Sequence, residues 1–516
     1  MTSAHLPTHI LMILDGWGIN EHTTGNAAAQ ADTPFLDHLL ANAPHCQLQC
    51  SGPAVGLPDG TMGNSEVGHM NIGAGRRVLQ DLIRINTAIE DNTFFDNPVL
   101  TSAMDAVKKA DTCLHLMGLL SDGGVHSHLL HLLALVDMAR IRGVKNVYIH
   151  AILDGRDTPP KSGITYMDQL IRHLDRHGYG SVKTIAGRYW TMDRDTRWDR
   201  IQKGYDLMTT AAGERHTDPL AAIQNAYDQG QTDEFVTPVF IEEAPGSGTG
   251  TVTDGDGIIF FNFRADRAKE ITRAFTCRDF KEFNRSVFPD LSGFVTMTRY
   301  DETFDLPVAF GPQKLTGIFG QVLSDQGITQ LRMAETEKYA HVTYFFNGGD
   351  ETAFDGETRI LVPSPRDVAT YDEKPQMSAF EVAEQACQEI RSGRFQFIVL
   401  NFANMDMVGH TGVLSAAIKA CETVDQCARQ VVEAVWETGG TAFVTADHGN
   451  CEQMIAPDGS PHTAHTLNPV PFIIAGKGLP DIPLKNGILG DIAPTILKTL
   501  HLAQPGEMTG TSLIME

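Results

Sequence analysis

Six residues of this chain are of the types that hold transition metals, and each stands where a short turn would aim it: Asp15, Asp406, His410, Asp447, His448 and His465. Three carboxylates and three imidazoles make a mixed oxygen and nitrogen donor set, which suits Mn²⁺ or Zn²⁺ and needs no thiolate. Asp406 and His410 are four residues apart, so one helical turn puts both on one face. Asp447 and His448 are adjacent, and Gly449 after them lets the backbone come close. Each fragment has an ordinary alternative, since Asp-x-x-x-His is commonly a helix-surface pair and His465 alone would pass as a loop histidine. The combination is what points to a metal centre.

A second group speaks of phosphate. Ser65 sits in the glycine-punctuated run Gly60-Thr61-Met62-Gly63-Asn64-Ser65-Glu66-Val67-Gly68-His69. A serine here could serve as a helix N-cap, with Glu66 favourable in the first turn. The chemical alternative is a nucleophile, which a serine becomes at neutral pH only beside a base or a metal. Arg156, Arg188, Arg194, Arg264 and Arg267 gather in the middle of the chain, with Lys338 beyond them. Guanidinium forks bind phosphate and carboxylate in bidentate fashion, and lysine adds a point charge. Arg264 and Arg267 are three apart, giving two forks on one side if that stretch is helical. His126, His128 and His131 also look ligand-like, but the last two are expected on the helix that follows.

The elements that must position these residues are short apolar strands alternating with amphipathic helices, the pattern of α/β proteins with mainly parallel sheets flanked by helices. Residues 10–14 run into Asp15, 397–400 lead toward Asp406 and His410, 442–445 run into Asp447 and His448, and 471–475 follow His465. In the middle, 114–120 lead to His126, 147–153 to Arg156 and Asp157, 182–186 to Arg188, and 258–263 to Arg264 and Arg267. Open parallel sheets bind ligands at the carboxyl ends of their strands. The metal-type ends lie near both termini and the arginine-rich ends between them. We therefore expect one domain inserted in another, with 79–312 inserted into a discontinuous domain of 1–78 and 313–516.

Composition sets the outer limits. At 516 residues the chain suits two domains, and its 42% hydrophobic and 20% charged content is that of a globular protein. A net charge of −24 argues against nucleic acid or an anionic membrane as partner. No apolar run reaches the ~20 residues of a membrane span, and the first twenty residues lack a signal-peptide pattern, so a cytoplasmic protein is expected. The eight cysteines show no CxxC and no finger-like spacing, which favours reduced structural thiols; Cys451 is expected to be a small neighbour of the metal-type residues.

Taken in order, these segments resemble the cofactor-independent phosphoglycerate mutases of the alkaline phosphatase superfamily. The likeness runs through ILDGWG at 13–18, GNSEVGHMNIGAGR at 63–76, LLSDGGVHSH at 119–128, DGRDTPP at 154–160, GRYWTMDRD at 187–195, FNFRADR at 261–267, EKYAHVTYFFNGG at 337–349, NFANMDMVGHTG at 401–412 and TADHGN at 445–450. The resemblance implies an alkaline-phosphatase-like metal domain with an inserted α/β domain, and interconversion of 2- and 3-phosphoglycerate through a phosphoserine, without 2,3-bisphosphoglycerate. It implies two Mn²⁺ ions, other divalent metals being possible, one held by Asp406, His410 and His465 and the other by Asp15, Ser65, Asp447 and His448. It also implies Ser65 as the phosphoryl acceptor, and His126, Arg156, Asp157, Arg188, Arg194, Arg264, Arg267 and Lys338 as substrate contacts. Asp157 is in addition the candidate proton-transfer group, and a monomer is expected. The nearest rivals are a metal-dependent phosphatase, a phosphopentomutase, and a silent metal- or phosphate-binding protein.

Overall fold

Runs of apolar residues flanked on both sides by helices form strands buried on both faces, and this chain builds two sheets that way. The structure is a computed structural model and describes residues 7–243, 250–477 and 482–515. The chain folds as two compact units, one formed by the residues up to Gln80 together with those from Lys314 onward, the other running from Asp81 to Gln313.

In the first unit eight described strands form one sheet, in the order Glu357–Val362, Gln330–Glu335, Phe397–Phe402, His9–Leu14, Thr441–Thr445, Val470–Gly476, His45–Gln49, Gly487–Ile488. The first five are parallel, and Ile10 to Leu14 at the centre are wholly buried. Register brings the ligand-bearing ends level, because Ile13 pairs with both Asn401 and Thr445. Val470–Gly476 runs antiparallel to Thr441–Thr445. Its beginning therefore lies at the edge where the parallel strands finish, and that is how His465, which precedes this strand, reaches the same edge as Asp15 and Asp447.

The second unit has seven described strands, ordered Glu214–His216, Val239–Ile241, Ser181–Gly187, Asn146–Leu153, Cys113–Leu120, Gly257–Phe260, Gly293–Thr296. Only the pairing of Ser181–Gly187 with Val239–Ile241 is antiparallel. Leu153 lies opposite both Leu120 and Gly187, so the residues that follow these three strands emerge side by side.

Three local expectations change. The strand expected over 258–263 stops at Phe260. Past it, the Phe261 and Phe263 amides donate to the carbonyls of Met117 and His126, at 2.9 and 2.7 Å. The stretch from Arg264 to Arg267 is not helical; the helix starts at Lys269, after Ala268 as its cap. His128 caps the helix Leu129–Arg142 rather than lying in it, its ring nitrogen accepting from the Leu130 amide at 3.2 Å.

Candidate active site

Ser65 is the first residue of the helix Ser65–Ala74. The capping role falls to Asn64, whose side-chain oxygen accepts from the Val67 amide at 2.9 Å, so the serine hydroxyl is left free of cap duty. This helix is pressed down by glycine: a Cβ on Gly68 would stand 2.7 Å from the Cβ of Asp447. The close approach brings Ser65 Oγ to 2.9 Å from His448 Nε2 and 3.3 Å from Asp15 Oδ1. Lys338 donates to the same hydroxyl at 2.7 Å, and to Asp15 and Asp406 at 2.9 and 2.6 Å.

Charge is concentrated in this cluster. Asp15, Asp406 and Asp447 are buried around one ammonium, Lys338, with the imidazoles of His448, His69, His410 and His465 against them. Burial works against ionising Lys338, but Asp15, Asp406 and Asp447 outweigh it and raise its pKa. Burial and then Asp447 raise that of Asp15. Asp447 Oδ2 is buried, with His69 Nδ1 3.0 Å away.

Orientation of the imidazoles completes the case. His410 Nδ1 donates to the Thr463 carbonyl at 2.7 Å and His465 Nδ1 to that of Gly63 at 2.9 Å. With those protons fixed, both Nε2 lone pairs face one another at 3.1 Å, each 3.2 Å from Asp406 Oδ1. Three electron-rich atoms meeting in this way call for a cation, a proton in its absence and a metal when one is bound. Ligand atoms of Asp406, His448 and His465 lie within 4.8 Å of one another, with His410 Nε2 beside that of His465, and could hold a metal ion. His69 also lies against Asp15 and Asp447. Its Nδ1 donates to the Ser65 carbonyl at 2.9 Å and its Nε2 accepts from Asn401 at 3.1 Å, so both nitrogens are engaged and it positions rather than ligates.

The second unit carries the arginines. Asp154, next after the strand Asn146–Leu153, accepts from the Arg156 and Asp157 amides at 3.2 and 3.0 Å and from Arg188 Nη1 at 2.7 Å. Arg188 reaches Asp157 Oδ2 at 2.5 Å. Burial opposes ionisation of Asp154, but the Asp157 amide, Ser121 and Arg188 hold its carboxyl below the usual range. Arg156, Arg188, Arg194 and Arg267 line a cavity of about 300 Å³. Burial, then the charges of Arg188, Arg194 and Arg156, lower the pKa of Arg267. Guanidiniums crowded until they repel are a site prepared for an anion. Asp266 joins Arg264 and Arg194 to this group, at 3.1 and 3.3 Å, and approaches His126 Nδ1 at 3.6 Å. Burial and then Arg188 push the His126 pKa down to about 4, so its ring is neutral near pH 7.

A neighbouring histidine gives a measurable pH effect. His131 is buried, its Nε2 paired with Asn86 at 2.8 Å, and burial with His128 nearby pushes its pKa down to about 3. An unfolded histidine takes a proton below about pH 6.5, which the folded ring refuses. The stability of the unit should therefore fall as pH drops from about 6.5, by about 1.4 kcal/mol per pH unit for this residue. Urea unfolding of the parent and of His131→Gln over that range checks it, shared contributions cancelling. The variant should show the shallower dependence; identical slopes would mean that His131 is protonated when folded.

Three comparisons bear on these two clusters. Residues 85–302 match the family described as BPG-independent PGAM N-terminus. Over 98% of its length the chain is 58% identical to the 2,3-bisphosphoglycerate-independent phosphoglycerate mutase of Syntrophotalea carbinolica, and covers 98% of that protein. The chain belongs to this family of phosphoglycerate mutases. A 2,3-bisphosphoglycerate-independent phosphoglycerate mutase 2 of Methanosarcina acetivorans is 53% identical over the whole chain and 98% of its own. A phosphoglycerate mutase of Leishmania mexicana, solved at low cobalt concentration, is 34% identical, with a TM-score of 0.60 over 100% of this chain and 99% of that one.

Within this phosphoglycerate mutase, every metal-type residue named from the sequence lies in the first unit together with Ser65 and Lys338, and the other substrate candidates lie in the second. Four participants went unnamed. His69 stands one helical turn after Ser65, and Asn401 lies near the end of the strand Phe397–Phe402 and donates to Asp15, so spacing carried a signal for both. Asn450, donating to Asp406 at 3.0 Å, and Asp154 lie within segments already singled out. The eight cysteines are free thiols, and Cys451 turns its sulfur toward Cys421 at 3.9 Å. Among the described residues no helix is long and apolar enough to cross a membrane.

Proposed function

We propose that the enzyme interconverts 2-phosphoglycerate and 3-phosphoglycerate by passing the phosphoryl group through Ser65, at a centre holding two Mn²⁺ ions. The observation that carries this reading is the Ser65 hydroxyl, 2.9 Å from His448 Nε2 and 2.7 Å from the Lys338 ammonium, amid three buried carboxylates. Bound metal would supply Lewis acidity that lowers the serine pKa and neutralises phosphate charge. Asp406, His410 and His465 would hold one ion, and Asp15, Ser65, Asp447 and His448 the other. Oxygen donors dominate the second set, which favours Mn²⁺ over softer ions.

The chain's own groups do the rest. Lys338 favours the ionised serine and then faces the phosphoryl oxygens as charge builds on them. His126, Arg156, Arg188, Arg194, Arg264 and Arg267 take the substrate's anionic and hydroxyl groups, and Asp157 moves the proton between the glycerate hydroxyls and the leaving or entering oxygen. Arg188 Nη1, 2.5 Å from Asp157 Oδ2, fixes that side chain in place for the task. Glycerate stays bound while its other hydroxyl comes to the phosphoserine, and water is excluded, since hydrolysis there would make a phosphatase. The reduced thiols accord with a cytoplasmic enzyme, and a monomer suffices for this chemistry.

The test is a crossover experiment without 2,3-bisphosphoglycerate. Substrate labelled in the phosphate is mixed with substrate labelled in the carbon skeleton. Product should carry one label or the other. Doubly labelled product would show exchange between molecules, and steady phosphate release at a comparable rate would show a phosphatase.

A further inference from the structure

A third group of ligand-type side chains lies in the second unit, at the far end of its helices from the arginines. Asp137 belongs to the helix Leu129–Arg142, and His173 and His177 stand one turn apart on the helix Gly163–His177. His173 Nε2 is 3.2 Å from Asp137 Oδ1, and His177 Nε2 is 3.8 Å from the same oxygen. The two rings meet nearly edge-on, with centroids 5.1 Å apart and planes at 68°. All three ligand atoms fall within 4.8 Å of one another.

This is more than a histidine resting on a carboxylate. A His-x-x-x-His pair on one helix turn presents two Nε2 atoms to a common point, the spacing by which helices chelate zinc-class ions. The carboxylate comes from a different helix, so an ion here would tie two elements together. Both histidines lie in the last turns of their helix, whose C-terminal dipole favours a cation. The competing charge, Arg140, stands 3.9 Å from Asp137 Oδ1 on a side chain 41% exposed, beyond hydrogen-bonding reach and free to turn away. None of the three side chains is deeply buried, so an ion could enter and complete its shell with water.

We propose that Asp137, His173 and His177 bind one divalent ion of the zinc class, which clamps the two helices and takes no part in the mutase reaction. Such an ion stabilises the folded unit by mass action, because the unfolded chain does not hold the three ligands together.

The test uses the Mn²⁺-loaded enzyme with Zn²⁺ as the added ion. Equilibrium dialysis with metal analysis compares the parent, the His173→Gln/His177→Gln double variant and the near-isosteric Asp137→Asn. Zinc exchange at the Ser65 centre is common to all three, so the difference between proteins decides. The parent should bind one more zinc per chain than the double variant. Asp137→Asn should bind that zinc at least roughly tenfold more weakly, since even outer-shell losses cost 10- to 100-fold. Zinc should raise the thermal midpoint of the parent above that of the double variant, while both variants keep parental mutase activity, which also certifies their fold. Equal zinc stoichiometry and affinity in all three proteins would overturn the proposal.

Discussion

Ser65→Ala should abolish mutase activity, lowering it on the order of 10⁵-fold or more, as expected when a serine nucleophile is removed outright. No neighbouring group replaces it. His448, His410 and His465 are turned to Asp15, Asp406 and one another, and Lys338 is held charged by the carboxylates around it. The variant should fold normally. Asn64 still caps the helix, and Lys338 keeps its pairs with Asp15 and Asp406 when the hydroxyl is gone. Asp406, His410 and His465 are untouched, so metal at that set should remain at parental content. Steady-state assay with metal analysis of the same sample checks both statements. An active Ser65→Ala enzyme would require another phosphoryl carrier, and none stands in the cluster.

Removal of metal should be almost as damaging. The stripped centre presents three buried carboxylates, countered by Lys338 and the imidazoles against them, where an anionic phosphoryl group must arrive. Chelation should lower the rate at least about a thousandfold, which corresponds to several kcal/mol of lost charge stabilisation. Mn²⁺ should restore it. Affinity for the ion should weaken as pH falls, starting above the ordinary histidine value, because metal and protons compete for the facing Nε2 atoms of His410 and His465. Asp406 beside them raises both pKa values, at His465 against the effect of burial. Full activity in enzyme shown to be metal-free would take metal out of the mechanism.

The sequence disclosed the strands most clearly, because strands covered by helices on both faces must be apolar without interruption, as residues 10–14 are. The donor types at the strand ends were equally legible. Spacing could not reveal the direction of Val470–Gly476, which depends on which strand it pairs with and decides how His465 arrives. Nor could a helical period be trusted across Arg264 to Arg267, because just before it the Phe263 amide donates to the His126 carbonyl and the chain leaves its ladder for a turn. His69, Asn401 and Asp154 escaped notice because they act on other side chains or on backbone amides. Such partners become visible once donors and acceptors are matched in space, as at Asp154, whose one carboxylate orders a loop and an arginine together.

The most direct measurement is to stop the enzyme in acid during turnover of substrate labelled in the phosphate, and to map the label on the protein. Acid preserves phosphoserine and halts exchange. The account predicts label on the peptide containing Ser65, at a level set by the balance of the two transfer steps, and its disappearance in Ser65→Ala. Acid-stable label on another serine while Ser65 stays unmodified during active turnover, or label that survives only in a parallel alkaline quench, as a phosphohistidine would, would contradict it.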